Sequence, residues 1–258
     1  SLHNELIVNT NKQNIFLVGY GLVGKSLIDI IKDNKTINIC GVINSKRMLI
    51  NNYGLNTNKI KEKLPNSLDR NLNKFIKVAH STPNSIIVDV TSSEEIANIT
   101  PDLIQKGISV VTASKLANSK SISFYNSLRK DSTNKKGYFK YGANVGAGLP
   151  IIETLQNLLI TGDKIISIEG IMSGTLSFLF SQFDGSIPFS KLVSEARKNG
   201  FTEPDPRDDL NGVDVARKIL ILARETKANL ELKDISIESL IPKNLDNNLS
   251  INDFLIKF

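Results

Sequence analysis

The sequence predicts an α/β fold, a mostly parallel sheet with helices on both faces, followed by a second α+β domain that is incomplete at its C-terminus. Three observations carry this. Short apolar runs at 14–18, 37–43, 86–90 and 108–112 alternate with helix-length amphipathic stretches, the pattern of βαβ units. A glycine-rich turn joins the first run to the first such stretch. Beyond about residue 145 longer helical stretches take over, separated by polar turns. The predicted organisation is a linker over 1–12, a first domain over 13–145 and a second over 146–258.

Composition narrows the class. The chain has 258 residues, 40% hydrophobic and 22% charged, ordinary for a soluble globular protein. No apolar run is long enough to span a bilayer, and the first residues lack a signal-peptide pattern. The single cysteine, Cys40, rules out an internal disulfide and points to the reducing cytoplasm. It lies in the run INICGVI, where a buried, inert thiol is expected. The net charge of +6 comes from scattered lysines in an Asn-, Lys- and Ile-rich chain, with no aromatic–basic motif, so neither nucleic acid nor a membrane is expected as a partner.

The first strand, NIFLV, runs into G-x-G-x-x-G at Gly19, Gly21 and Gly24, and a helix follows with Leu22, Leu27, Ile28, Ile30 and Ile31 as its apolar residues. Between strand and helix this pattern has its required context and predicts a Rossmann-type parallel sheet. Gly19 permits the tight turn, Gly21 admits a pyrophosphate and Gly24 lets helix and strand approach. Tyr20, Leu22 and Val23 complete the turn, whose helix N-terminus offers N–H groups to phosphate. A bare strand–helix turn without ligand is the competing account. The second strand, Ile37–Ile43, ends in Asn44, Ser45, Lys46 and Arg47. An acid there would hold the ribose 2′-hydroxyl of NAD; two cations there favour the 2′-phosphate of NADP over NAD.

Residues 53–65 read as irregular, and Ser67 as the cap of a helix to Ala79. Strand 86–90 leads to Thr91, Ser92 and Ser93, hydroxyl residues at the cofactor end of the sheet; Ser92 or Ser93 also suits the N-cap of the next helix, which ends at Gly107. Strand 108–112 leads to Lys115 at the same edge. Helix 119–131 and strand 137–141 complete the alternation. The loop 141–150 is glycine-rich and opens a helix to about Thr161; its carbonyls could ring a monovalent cation, or it could be a plain crossover. Residues 164–171 read as a strand, Ser173, Gly174 and Thr175 as a helix start able to hold a carboxylate or merely to cap, and 188–199 as a helix.

The stretch 196–218 carries the strongest chemical signal. Its helix stops at Gly200, and a rigid turn with Pro204 and Pro206 collects Glu203, Asp205, Asp208 and Asp209. A helix from about Asp208 to Glu225 is predicted next, apolar on most sides and buried, yet with Asp214 and Lys218 one turn apart. A charged pair on such a helix costs several kcal/mol per ion unless well paired, so its presence favours a functional role over an ordinary ion pair. A lysine held by a carboxylate can give or take a proton.

Taken together, the chain resembles homoserine dehydrogenase. GFTEPDPRDDLNGVDVARK is close to that family's signature, and VVTASK, VGAGLPIIETLQNLL and GIMSGTLSF match further segments in order, over about Asn14 to Glu231. The opening is most similar to the junction of bifunctional aspartokinase–homoserine dehydrogenases, which implies an aspartokinase domain upstream. The resemblance implies reversible NAD(P)-linked interconversion of L-homoserine and L-aspartate 4-semialdehyde, on the route to threonine and methionine. By matching position it implies Lys218 as acid–base, Asp214 and Glu203 as substrate binders, and Lys115 beside substrate and nicotinamide, sharing proton transfer. Gly19 to Gly24, Thr91, Ser92, Gly200 and Glu203 would line the cofactor, and main-chain Val145, Ala147 and Leu149 would ligate Na+ or K+. It also implies a homo-oligomer.

Three departures stand out. Gly142 occupies the place of a Glu that ligates the cation in some members, Phe201 that of a Tyr, and the family's C-terminal part is missing. The last leads to an expectation of an exposed sheet edge and weak activity. Two other readings fit less well: an acyl-enzyme aldehyde dehydrogenase lacks its nucleophile, since Cys40 is in the first domain, and a nucleotide-binding module without catalysis leaves Lys115, Asp214 and Lys218 without a purpose.

Overall fold

The computed structural model describes residues 12–129, 137–245 and 248–258, so residues 1–11 of the linker expected over 1–12 and the end of helix 119–131 fall outside the described residues. The chain divides into two compact units, 1–148 and 149–258.

The first unit is built on a seven-stranded sheet in the order β4-β3-β2-β1-β5-β6-β7. The strands are β1 (Gln13–Val18), β2 (Ile37–Ile43), β3 (Arg47–Ile50), β4 (Leu68–Asp69), β5 (Ser85–Asp89), β6 (Ser109–Thr112) and β7 (Phe139–Lys140). β1 lies between β2 and β5, and the pairings from β2 through β7 are parallel. Residues 15–18 are all buried, because helices cover both faces. On one face Phe16 meets Phe75 edge-on, with centroids 5.5 Å apart, among Ile96, Leu103 and Val110. On the other, α1 (Leu22–Ile31) lays Ile28 against Leu17, Ile39 and Val42.

The sheet is mixed at one edge, where β3 and β4 run antiparallel and were missed as strands. Asn44 explains the reversal: its Oδ1 accepts the N–H groups of Lys46 (2.8 Å) and Arg47 (2.7 Å) and turns the chain back on itself. Ser67 is not the predicted helix cap. Its hydroxyl donates to the Leu64 carbonyl at 2.7 Å, the next two residues join the sheet as β4, and Asn71 caps the helix Leu72–Ser81 by accepting the Lys74 N–H. The stretch 53–65 is not wholly irregular, since the helix Ile60–Lys63 buries Ile60. Over the described part of the helix expected at 119–131 there are two short helices instead, Leu116–Ser119 and Ile122–Ser127, broken where Lys120 is extended.

The described residues of the second unit form helices Ile151–Ile160, Gly174–Gln182, Phe189–Lys198, Arg207–Leu210, Val213–Glu225 and Ile251–Lys257. Leu179, Leu192, Val193, Leu210 and Phe254 form its core. The strand expected over 164–171 does not form: no described neighbouring segment supplies a hydrogen-bonded ladder, and Ile166 is 98% exposed and Ile171 80%. The helix expected from Asp208 is broken at Gly212, whose φ of +76° ends one helix and starts the next. A side chain there would also strike Ile237 at 2.9 Å.

Cys40 is fully buried beside Asn14, and burial pushes its thiol up to about 11, as expected of an inert cysteine. Among the described residues no helix is long and apolar enough to cross a membrane.

Candidate active site

In the first unit a cleft of about 630 Å³ opens at the C-terminal ends of β1, β2 and β5, lined among others by Gly19, Tyr20, Gly21, Asn44, Ser45 and Arg70, with Thr91, Ser92 and Ser93 opposite. The three glycines have distinct roles. Gly19 has φ of +105° and gives its N–H to the Ile43 carbonyl at 2.8 Å, which holds the turn against β2. A side chain at Gly24 would lie 2.2 Å from the Gly19 carbonyl, so only glycine lets α1 pack so close to the turn. At Gly21 nothing lies within 4 Å of where a Cβ would be, and no side chain caps α1 there. An open approach at a ten-residue helix N-terminus fits a dinucleotide pyrophosphate. Leu22 and Val23 are exposed on the first turn of α1.

Asp89, at the end of β5 and unmarked in the sequence reading, organises the opposite wall. It is 2% exposed and accepts the Thr91 N–H (3.0 Å), the Thr91 hydroxyl (2.6 Å) and the Thr112 hydroxyl (3.2 Å). Burial pushes its carboxyl up, and these hydrogen bonds oppose the shift. Thr91 therefore turns its hydroxyl to Asp89 and presents its methyl to Gly19. Ser93 precedes the helix Glu94–Gln105 without a side-chain cap bond, and its N–H donates to Thr91 Oγ1.

Lys115 follows β6, half-buried, with its carbonyl accepting the Ser119 N–H at 3.0 Å. The strand end before it is braced. The Thr112 carbonyl accepts from Asn144 Nδ2 (3.0 Å), Asn144 Oδ1 from Asn118 (2.8 Å), and Asn118 from Arg129, whose guanidinium stacks 3.4 Å over the Tyr125 ring. A lone Asn in a glycine loop carried no signal of this buried network.

Of the two cations expected at the 2′-position, Lys46 is exposed on the Asn44 turn. Arg47 is engaged elsewhere: it donates to Asp69 at 2.7 Å and to the Ser67 carbonyl at 3.1 Å, on the edge strands. In the glycine loop Val145 is buried, Ala147 has φ of +52°, and the Leu149 carbonyl accepts the Ile151 N–H at 2.8 Å. Among the described residues no group of three metal-ligating side chains occurs.

In the second unit Lys218 Nζ lies 2.7 Å from Asp214 Oδ2 and donates to the Met172 carbonyl at 2.7 Å. The helix carrying the pair is less enclosed than expected: the Lys218 side chain is 17% exposed and that of Asp214 45%. The nearby turn is fixed by Asp209, which the sequence reading placed only in an acidic cluster. Its carboxylate accepts the Glu203 N–H (2.8 Å) and lies 2.9 Å from the Thr175 hydroxyl, which also lies 2.9 Å from the Phe201 carbonyl. Gly200, at φ of +77°, ends the helix before this turn, and the Glu203 side chain is exposed. Ser173 caps the helix Gly174–Gln182 by accepting the Leu176 N–H, so its hydroxyl has a local partner. Arg207 grips Asp205 through Nε and Nη2, which holds that carboxyl below its usual range.

Comparison with known proteins gives this geometry its context. Residues 19–141 match the model of the homoserine dehydrogenase NAD-binding domain, and 150–256 that of homoserine dehydrogenase. The bifunctional aspartokinase/homoserine dehydrogenase of Haemophilus influenzae is 42% identical over 265 residues, covering 98% of this chain and 32% of the relative. The chain thus spans about a third of the length of the curated relatives it matches. A Candida auris protein of unknown function superposes with a TM-score of 0.84 at 32% identity, over 95% of this chain and 72% of that one. A hyperthermophilic archaeal homoserine dehydrogenase solved with NADPH shares the fold, at a TM-score of 0.68 and 23% identity over 83% of this chain and 70% of its own. The α/β fold with its nucleotide-type sheet, the two matched domains in order and the closeness of the bifunctional relatives together place this chain in the homoserine dehydrogenase family.

Proposed function

We propose that this chain supplies the dehydrogenase activity of a longer protein, the reversible NAD(P)-dependent reduction of L-aspartate 4-semialdehyde to L-homoserine in the threonine and methionine branch. One observation carries the reading: the Lys218 ammonium, held at 2.7 Å by both Asp214 and the Met172 carbonyl, its side chain only 17% exposed.

NAD(P)H, when bound, supplies the hydride for the aldehyde carbon. The carbonyl oxygen then needs a proton, and Lys218 Nζ–H gives it, returning to its charged form by taking one from solvent. In the oxidation direction the amine takes the hydroxyl proton. Asp214 fixes where the ammonium stands. Glu203 and Asp214 are acceptors for the substrate ammonium, and the backbone N–H groups at the helix start Ser173, Gly174 and Thr175 are donors for its carboxylate. Lys115 shares in proton transfer beside the nicotinamide. Gly19 to Gly24, Asn44, Ser45, Thr91 and Ser92 hold the nucleotide; Gly200 and Glu203 are further cofactor residues that the family resemblance implies.

NADP is the preferred cofactor, because the cleft lining holds no acid for a free 2′-hydroxyl. A monovalent cation, Na+ or K+, would rest on the Val145, Ala147 and Leu149 carbonyls alone, since Gly142 brings no carboxylate. An aspartokinase domain upstream is supported by the names of the relatives, homo-oligomerisation by the exposed apolar residues Ile166 and Ile171, and the cytoplasm by the single free cysteine.

The test is a spectrophotometric assay of homoserine oxidation with NAD and with NADP, on this chain and on one extended at its C-terminus. Homoserine-dependent NADPH formation supports the reading; no turnover by either length, with either cofactor, overturns it.

A further inference from the structure

The nucleotide cleft carries one charged side chain in its lining, and it is neither of the cations that follow β2. It is Arg70, more than twenty residues further on. We propose that Arg70 reads the 2′-phosphate of the bound nucleotide and sets the preference for NADP; this rests on the reading of the cleft as a dinucleotide site.

The antiparallel edge of the sheet delivers Arg70 to this position. Asn44 turns the chain back after β2, β3 pairs with β4, and Arg47 lies opposite Asp69 in that pairing and is bonded to it at 2.7 Å. The next residue, Arg70, is then pinned by its own N–H, which donates to the Lys46 carbonyl at 2.9 Å. The side chain is thereby set beside Asn44 and Ser45, the end of the second strand, where the adenosine ribose of a nucleotide lies in this class of sheet.

The chemistry follows from what surrounds the guanidinium. Arg70 Nη2 pairs with Glu95 on the helix after Ser93, and the Arg70 side chain is 30% exposed. A guanidinium has five N–H donors in a planar fork, so pairing with one carboxylate leaves donors for a phosphate. Glu95 itself is not among the residues that line the cleft. The sequence draws attention to Lys46 and Arg47 because they follow the strand directly, but neither lines the cleft.

The experiment measures dissociation constants for NADPH and NADH by fluorescence, in the wild-type protein and in Arg70→Gln, Arg70→Lys and Glu95→Gln. Losing charge-assisted bonds to the phosphate weakens NADPH by about tenfold or more in Arg70→Gln, with NADH within about twofold. Arg70→Lys falls between, because it keeps the charge and loses the fork. Glu95→Gln leaves NADPH no weaker than in the wild type. Equal weakening of both nucleotides by Arg70→Gln, or a Glu95→Gln variant that mimics it, would show Arg70 to be only a brace and overturn the proposal. An unchanged NADPH constant in Arg70→Gln would overturn it while leaving the nucleotide site standing. A wild type that binds neither nucleotide would instead remove the reading of the cleft, and this proposal with it.

Discussion

Lys218 and Asp214 stand one turn apart on the helix Val213–Glu225, with ammonium and carboxylate 2.7 Å apart. A pair at this spacing on an open helix contributes a few tenths of a kcal/mol. Here the lysine is mostly enclosed and also bonds the Met172 carbonyl 46 residues away, which fixes its position to within a hydrogen bond. Asp214→Asn removes the anion that holds it. We expect kcat to fall by about 10–100-fold while the NADPH dissociation constant stays within about twofold, read by steady-state kinetics beside fluorescence titration.

Gly24→Ala tests the cradle. Its Cβ would sit 2.2 Å from the Gly19 carbonyl, a backbone atom that cannot move alone. The helix must shift, at about 1–3 kcal/mol, and the opening at Gly21 shifts with it. Loss of NADPH binding together with a lowered Tm is expected; unaltered binding would separate the glycine turn from the nucleotide.

Asp209→Ala tests the turn that presents Glu203. With its carboxylate gone, the Glu203 N–H and the Thr175 hydroxyl lose a shared acceptor. KM for homoserine should rise several-fold, with little change in KM for NADP.

Stability at low pH has two opposing contributions. Asp205 is held below its usual range, first by its hydrogen bond to Arg207, so its contribution is present above the unfolded value of about 4 and is lost as pH falls through the folded one. Asp89 is shifted upward, first by burial, so ionising it costs stability as pH rises through its folded value. Thermal melts from pH 3 to 7 should therefore show a smaller acid loss in Asp205→Asn than in the wild type. An unchanged acid limb would mean that the pair with Arg207 does not couple to folding.

What the sequence made legible was local. The glycine turn between β1 and α1 is fixed by close approach, so its spacing announces it, and Asp214 and Lys218 reveal themselves by helical periodicity. The edge strands β3 and β4 were hidden because four residues and two residues are too short for an alternation to show, and the Asn44 turn that joins them to the sheet looks like any polar loop. Asp89, Asn144 and Asp209 were missed as organisers because their partners, Thr112, Asn118 and Thr175, are brought to them only by the fold. The run at 164–171 has the composition of a strand, but a ladder needs a neighbour, and composition does not say whether one is present.

The most direct measurement is kcat for NADPH oxidation with L-aspartate 4-semialdehyde before and after Lys218→Ala, in whichever chain length turns over faster. The account predicts a fall of about 100-fold or more with the NADPH dissociation constant preserved. An unchanged kcat would take Lys218 out of the chemistry and leave a nucleotide-binding chain without the proposed acid–base.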